Sequence, residues 1–285
     1  MLPAATVLLA GACAFDRAGV VAEEKLFGDG PTGAPQALGA WLGDELAGVA
    51  AIAANRVRVL AVMPSRRRQG VGTALIDACA AAAKASGQAV LRTLDQPGNY
   101  LAPGIDERNT ETIGWLERRG WAKTGEPRTN VLIDVRGNPR VTAQRAKALA
   151  EAVTDHGYEV RRARPDETSL LDAVAAEFGG AWPFELARSL AYSPAGVHVA
   201  LKDGAYCGFA AHDGNNRGLG WFGPTGTWPA HRGQGLGEVL LVACLVDVAD
   251  AHAQCEVAWI GPRPFYEKVA GIVADRRFVL LTKPL

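Results

Sequence analysis

The chain has 285 residues, and its 30 Lys plus Arg balance 30 Asp plus Glu, so it carries no formal net charge at pH 7. No global field draws it to nucleic acid or to an anionic membrane, and no uncharged run reaches the roughly 18 residues of a membrane span. Its five cysteines, Cys13, Cys79, Cys207, Cys244 and Cys255, contain no CxxC pair. That pattern fits reduced, buried thiols in a cytoplasmic protein better than a disulfide framework or a zinc site, so no metal is expected. At roughly one domain per 150 residues, the length favours two domains.

In chain order, Met1 to Ala14 is an apolar run with no basic residue ahead of it and Asp16-Arg17 behind it. It reads as a first core helix in preference to a signal peptide. Ala37 to Leu42 and Leu46 to Ala53 form a hairpin about Gly43-Asp44. Val57 to Val62 is a strand, followed by Pro64, a basic glycine-rich turn, and a helix from Val71 to about Ala85 with Gly87 as its C-cap. A strand from Ala89 to Thr93 precedes a long insertion, Leu94 to Asn109. Its length suits either a pocket-lining loop or a plain connection.

Arg136-Gly137-Asn138-Pro139-Arg140 breaks the pattern, and Thr142 to Thr154 reads as a connecting helix. Tyr158 to Arg164 then opens a second domain as a strand, with a helix from Glu167. A second hairpin, Val197 to Leu201 and Tyr206 to Ala211, turns at Asp203-Gly204. The strand Trp221 to Thr227, the helix Leu236 to about Ala251 and the strand Glu256 to Ile260 follow. The expected domains are therefore 1–136, a linker helix at 137–157, and 158–285. The first half has no opening strand before its first helix, which leaves room for a strand borrowed from elsewhere in the chain.

The two halves repeat. Leu60 to Leu75 aligns without a gap on Thr225 to Leu240 at a constant offset of 165, as from Arg67 to Arg232. Pro64, Gln69, Gly70 and Gly72 match Pro229, Gln234, Gly235 and Gly237. A strand that ends in a glycine-rich turn at a helix N-terminus is an anion site, because amides converge there and the helix dipole adds positive charge. Arg66, Arg67, Arg68 and Arg232 add full charges, so a pyrophosphate fits. Neither a P-loop nor a dinucleotide-fold spacing is present at these turns.

At these residues the chain resembles the GNAT acetyltransferase superfamily, whose signature is Arg/Gln-x-x-Gly-x-Gly/Ala. Arg67, Arg68, Gln69, Gly70, Val71 and Gly72 match it, as do Arg232, Gly233, Gln234, Gly235, Leu236 and Gly237. The resemblance covers nearly the whole chain as two copies and is similar to the tandem group that includes mycothiol synthase. It implies an α/β (α+β) fold of two domains, each a mixed, mostly antiparallel central sheet flanked by helices. It further implies that the turns hold the pyrophosphate of acetyl-CoA (coenzyme A). Leu60, Ala61 and Val62, and Thr225, Gly226 and Thr227, would hold its pantetheine arm.

Acetyl transfer needs a neutral attacking amine, a stabilised oxyanion and a proton for the leaving thiolate. By the resemblance, a tyrosine of the fourth helix supplies that proton. Phe265-Tyr266-Glu267-Lys268 carries one, with one extra residue before Gly271, whereas Leu116 stands at that place in the first half. Tyr266 is thus the expected acid and the second half the expected catalytic domain; the first half either binds the donor without turnover or is a degenerate copy. Glu256 is the expected base, with His212 and Asp213 as weaker choices, and His231 reads as an anion contact. Trp182, Trp221, Phe222, Trp228 and Trp259 form either a substrate wall or core.

The expected activity is N-acetyl transfer to a primary amine of a small molecule, such as an amino sugar or aminoglycoside-like compound. An acyl-CoA-binding sensor or scaffold, or an acetyltransferase acting on a peptide or protein amine, remains the alternative. No nucleic-acid or membrane partner is expected, and the chain is either a monomer acting as an internal pseudo-dimer or a homodimer.

Overall fold

The computed structural model describes residues 1–285, the side chain of Ala14 excepted. The chain forms two compact units, one of Met1–Thr129 with Arg276–Leu285 and the other of Asn130–Asp275. This division differs from the expected 1–136, 137–157 and 158–285. The last ten residues rejoin the first unit, and the expected linker helix belongs to the second.

The first unit opens with helices α1 (Leu2–Ala12) and α2 (Ala22–Phe27), then strands β1 (Gln36–Leu42), β2 (Glu45–Ala53) and β3 (Arg56–Val62). Helix α3 (Val71–Ala85), strands β4 (Val90–Thr93) and β5 (Ile105–Asp106), helix α4 (Thr110–Glu117) and strand β6 (Ala122–Lys123) follow. Strand β7 (Arg128–Asp134) leads into the second unit, where Val131 to Asp134 pair antiparallel with a strand near its end.

The second unit runs α5 (Ala143–Thr154), β8 (Glu159–Arg162), α6 (Ser169–Glu177), α7 (Trp182–Leu190), β9 (Val197–Lys202), β10 (Ala205–His212) and β11 (Trp221–Thr227). It closes with α8 (Leu236–Ala251), β12 (Gln254–Val257), α9 (Arg263–Val269) and the start of β13 (Ala274–Val279). The final strand, β14 (Leu281–Pro284), returns to the first unit and pairs with β4 and β6.

The first sheet has the order β1-β2-β3-β4-β14-β6, and the second contains β7-β12-β11-β10-β9-β8. Each is antiparallel except for one parallel junction, β3 with β4 and β11 with β12. The strand that the first sheet borrows is therefore β14, beside β4. The other edge gains nothing, and β1 stays terminal where the second sheet adds β8. The strand expected at Glu256 to Ile260 lies earlier, at Gln254–Val257, because the chain turns out of the sheet after Val257.

Both faces of each sheet are covered, so β2 is buried along nearly its whole length. The long helices press onto glycines. A Cβ on Gly48 would stand 2.8 Å from Val71 and 2.9 Å from Leu75, and one on Gly208 would stand 2.9 Å from Leu240. Leu75 and Leu240 are repeat partners, so the same close approach is built twice. Around α8, residues such as Val131, Cys207, Phe222, Leu240, Cys255 and Tyr266 form one core, and α6 and α7 bury Leu170, Val174 and Leu186 on the opposite face.

Helix α5 is not a loose connector. Thr142 caps it by accepting from Arg145 N over 3.1 Å, worth about 1 kcal/mol. Arg145 then ties it to α8 and α9, donating to Glu238 over 2.6 Å and to the Val269 carbonyl over 2.8 Å. No helix among the described residues is long and apolar enough to cross a membrane.

Candidate active site

In both units the parallel junction is short. β11 pairs with β12 only at Trp221↔Glu256 and Phe222↔Val257, and β3 pairs with β4 only at Arg56↔Arg92 and Val57↔Thr93. Beyond those residues the strands part, so Gly223 to Thr227 and Arg58 to Val62 keep a neighbour strand on one side. The parted edge presents backbone donors and acceptors of the kind that an extended, amide-bearing arm can pair with. Thr225, Gly226 and Thr227 lie on one such edge, and Leu60, Ala61 and Val62 on the other. Phe178 closes on the first, its ring 2.9 Å from where a Cβ on Gly226 would stand.

Each edge leads to a glycine turn. Gly70 and Gly235 are the N-caps of α3 and α8 at φ 86° and 81°, a left-handed conformation that favours glycine. No side chain caps either helix among the described residues, so the first-turn amides are left to solvent or a ligand. Nothing lies within 4 Å of where a Cβ on Gly70 would stand. The residues Arg67, Arg68, Gln69 and Gly70 are exposed, as are Arg232, Gly233, Gln234 and Gly235, while Val71 and Leu236 anchor the helices in the cores. One detail differs: the left-handed position before the cap is Arg68 at φ 66° in one copy and Gly233 at φ 76° in the other.

The basic residues around the turns are partly engaged. Arg66 donates from Nε to Glu45 over 2.9 Å, and Arg232 donates from Nε to the Thr227 carbonyl over 3.2 Å. His231, expected to touch an anion, has Nδ1 3.1 Å from the Tyr158 hydroxyl, which leaves Nε2 for that role.

The register of α9 is fixed by packing. Cβ positions on Gly72 and Gly237 lie 3.5 Å from the rings of Trp115 and Phe265 respectively. Trp115 and Phe265 are thus equivalent, and so are Leu116 and Tyr266. The extra residue before Gly271 falls after this contact and does not shift it. Tyr266 is 6% exposed and packs edge-on against Phe222, at the last paired position before the strands part. Burial pushes its hydroxyl up to about 12, so it holds its proton at neutral pH.

Glu256 stands on the other face of β12. Cys255 and Val257 enter the α8 core, and strand alternation turns Glu256 away from it. Its carboxylate accepts from Asn130 Nδ2 over 2.7 Å, and Asn130 Oδ1 accepts from Trp259 N over 2.9 Å. Asn130 is fully buried, and nothing in the sequence singled it out. Of the five aromatics, Trp221 and Phe222 are core, Trp182 and Trp228 cluster about Phe178, and Trp259 is exposed.

His212 does not suit a base. Burial lowers its affinity for protons, but Asp213 and Asp247 more than offset that and hold its pKa at about 9. Nδ1 lies 3.1 Å from Asp213, and Nε2 lies 3.4 Å from Asp247, an ion-pair distance. Asp247 also accepts from Arg162 over 2.6 Å and from His198 over 2.7 Å. His212 pairs with Phe222 on β11, five residues before the strand reaches Thr227 and the turn.

The first unit has the same gap with different contents. Arg58, the first residue past the pairing, matches Gly223 at the offset of 165. It is fully buried and donates from Nε to Gln96 over 2.5 Å and from Nη1 to the Gly28 carbonyl over 2.6 Å. Asn99 of the insertion accepts from Lys25 over 2.8 Å and donates to the Asp29 carbonyl over 2.8 Å. The insertion is held by buried polar groups: Asp95 accepts from Arg92 of β4, Gln96 accepts from Arg58 of β3, and Asn99 bonds to α2 through Lys25 and the Glu24 carbonyl. Arg58 itself was legible as a charge inside an apolar strand.

A family model described as "Acetyltransferase (GNAT) family" matches residues 14–121. No curated protein sequence matches. Among solved structures, the chain is similar to a tandem GNAT protein from the clavulanic acid biosynthesis pathway, with 21% identity, TM-score 0.65, and coverage of 99% of this chain and 94% of that one. It is similar to a GCN5-related N-acetyltransferase from Sphaerobacter thermophilus, with 18% identity, TM-score 0.63, and coverage of 99% and 92%. The third is the GCN5-related glucosamine N-acetyltransferase region of a fungal multi-domain GH3 β-N-acetylglucosaminidase, with 16% identity and TM-score 0.75. The chain spans 36% of that protein's length, with 99% of itself covered. At these identities the likeness is one of fold.

Proposed function

We propose that this chain, a tandem GNAT-fold protein whose residues 14–121 belong to the acetyltransferase (GNAT) family, is a cytoplasmic acyltransferase that moves an acetyl group from acetyl-CoA to a primary amine of a small molecule. The second unit is the catalytic one, and the acceptor is an amino sugar or aminoglycoside-like compound. The observation that carries this reading is Tyr266, set by the Phe265–Gly237 contact at the mouth of the parted strands that lead to the Gly235 turn.

The chain's own groups divide the work. The exposed amides at Gly235 to Gly237, with Arg232, bind the donor's pyrophosphate, and the free edge of Gly223 to Thr227 aligns its arm. In the transfer, the amine nitrogen bonds to the acyl carbon and the carbon–sulfur bond breaks. Tyr266 gives its proton to the departing thiolate, and Glu256 takes the proton that the amine sheds, both being reset through solvent. The first unit keeps its turn but has Leu116 for Tyr266, Arg58 for Gly223, and Arg92 at the position of Glu256 (an offset of 164 in this strand). It does no chemistry.

Acetyl-CoA is titrated calorimetrically into the intact chain, and a panel of amines is then assayed for thiol release with Tyr266→Phe as control. Saturable binding with amine-dependent thiol release that the variant loses supports the reading. A folded chain that binds no acetyl-CoA contradicts it.

A further inference from the structure

Asn130 spends its buried carboxamide on two groups at the mouth of the second unit's gap, the Glu256 carboxylate and the Trp259 backbone. One rigid amide therefore sets both a carboxylate and the start of the segment that carries an indole. Glu256 retains partial exposure, and Trp259 is 41% exposed, an unusual state for a tryptophan. Trp259 also adopts φ 47°, a strained value for a bulky residue.

The other copy acts as an internal control. The residue aligned with Glu256 by strand pairing is Arg92, which donates to Asp95 over 2.5 Å. Asp95 aligns with Trp259, and Leu280, just before β14, aligns with Asn130, each two residues before the strand partner of Arg92 or Glu256. The unit with a leucine in place of the tyrosine also reverses the charge at this place and removes the exposed ring.

We propose that Asn130, Glu256 and Trp259 form the acceptor subsite of the second unit, and that it takes a cationic amine borne on a ring. The ammonium docks at the Glu256 carboxylate, which takes its proton and passes it to solvent so that the neutral amine attacks, and the apolar face of the ring lies on the Trp259 indole. Asn130 is a positioning residue that holds the two in register. The inference rests on the acetyltransferase reading above.

The test uses the full chain with acetyl-CoA and two probe amines, glucosamine and the linear 1,4-diaminobutane. Trp259→Ala is expected to raise KM for glucosamine about tenfold, with kcat and the KM for diaminobutane nearly unchanged, since only the ring-bearing amine loses a stacking face. Asn130→Leu is expected to raise KM for both amines, with acetyl-CoA affinity retained by calorimetry. Equal KM effects of Trp259→Ala on the two amines, or none, overturn the inference and leave the acetyltransferase reading standing. Acetyl-CoA binding without transfer to either amine also overturns it. Failure of the unaltered chain to bind acetyl-CoA overturns the underlying reading instead.

Discussion

Phe265 lies against Gly237, its ring 3.5 Å from where a Cβ on that glycine would stand. The contact joins the first turn of α8 to α9, so the helix that starts at the Gly235 turn also sets the register of Tyr266. The same contact between Gly72 and Trp115 delivers Leu116 in the first unit. The same packing device thus sets a tyrosine in one unit and a leucine in the other.

Tyr266→Phe should lower kcat about a hundredfold while leaving the acetyl-CoA dissociation constant within about twofold, the range for loss of one general acid. With its pKa raised to about 12, the tyrosine contributes stability that is full below its ordinary value of 10.0 and is lost as pH rises towards 12. Alkaline difference absorbance of the variant against the unaltered chain should show the missing tyrosine in the limb near pH 12.

Arg58→Leu should destabilise the first unit by about 2–4 kcal/mol, because the carbonyl of Gly28 and the amide of Gln96 lose their donor inside a buried network. Chemical denaturation measures the loss. Acetyl transfer by chains that remain folded should be unchanged.

The charge cluster around Asp247 should give the second unit a pH-dependent stability. Asp247 is held below its ordinary value of 3.8: burial opposes ionisation, but hydrogen bonds from His198, His212 and Arg162 outweigh it. That contribution is present above pH 3.8 and is lost in acid. His212, raised from 6.5 to about 9, contributes stability that is full below pH 6.5 and lost as pH rises through 9. Melting temperature should fall by a few degrees between pH 6.5 and 9, and His212→Gln should flatten that limb.

Arg68→Gly should stabilise the first unit by up to about 1 kcal/mol, because Arg68 holds a left-handed conformation at φ 66° that Gly233 adopts freely in the other copy. Thermal melting of the variant measures the gain.

Much of the fold was legible because the repeat imposed the same pattern twice. The helix bounds at Val71–Ala85 and Leu236–Ala251, both hairpins and both glycine turns followed from periodicity and turn chemistry. The exchange of closing strands was not legible, since nothing in the short mixed sequences of β7 and β14 says which sheet they join. The end of β12 was misread because Trp259 and Ile260 suit a strand by composition, while the chain leaves the sheet after Val257. Asn130 was invisible for the same reason as β7, because its role arises only once that strand lies beside β12.

The most direct test of the two-unit assignment is titration calorimetry of acetyl-CoA into Gly70→Glu and Gly235→Glu, each of which adds bulk and negative charge at one uncapped helix N-terminus. Loss of acetyl transfer and of the donor-binding isotherm that supports it in Gly235→Glu alone, with Gly70→Glu fully active, is the result expected. Abolished transfer in Gly70→Glu with full activity in Gly235→Glu would contradict the account.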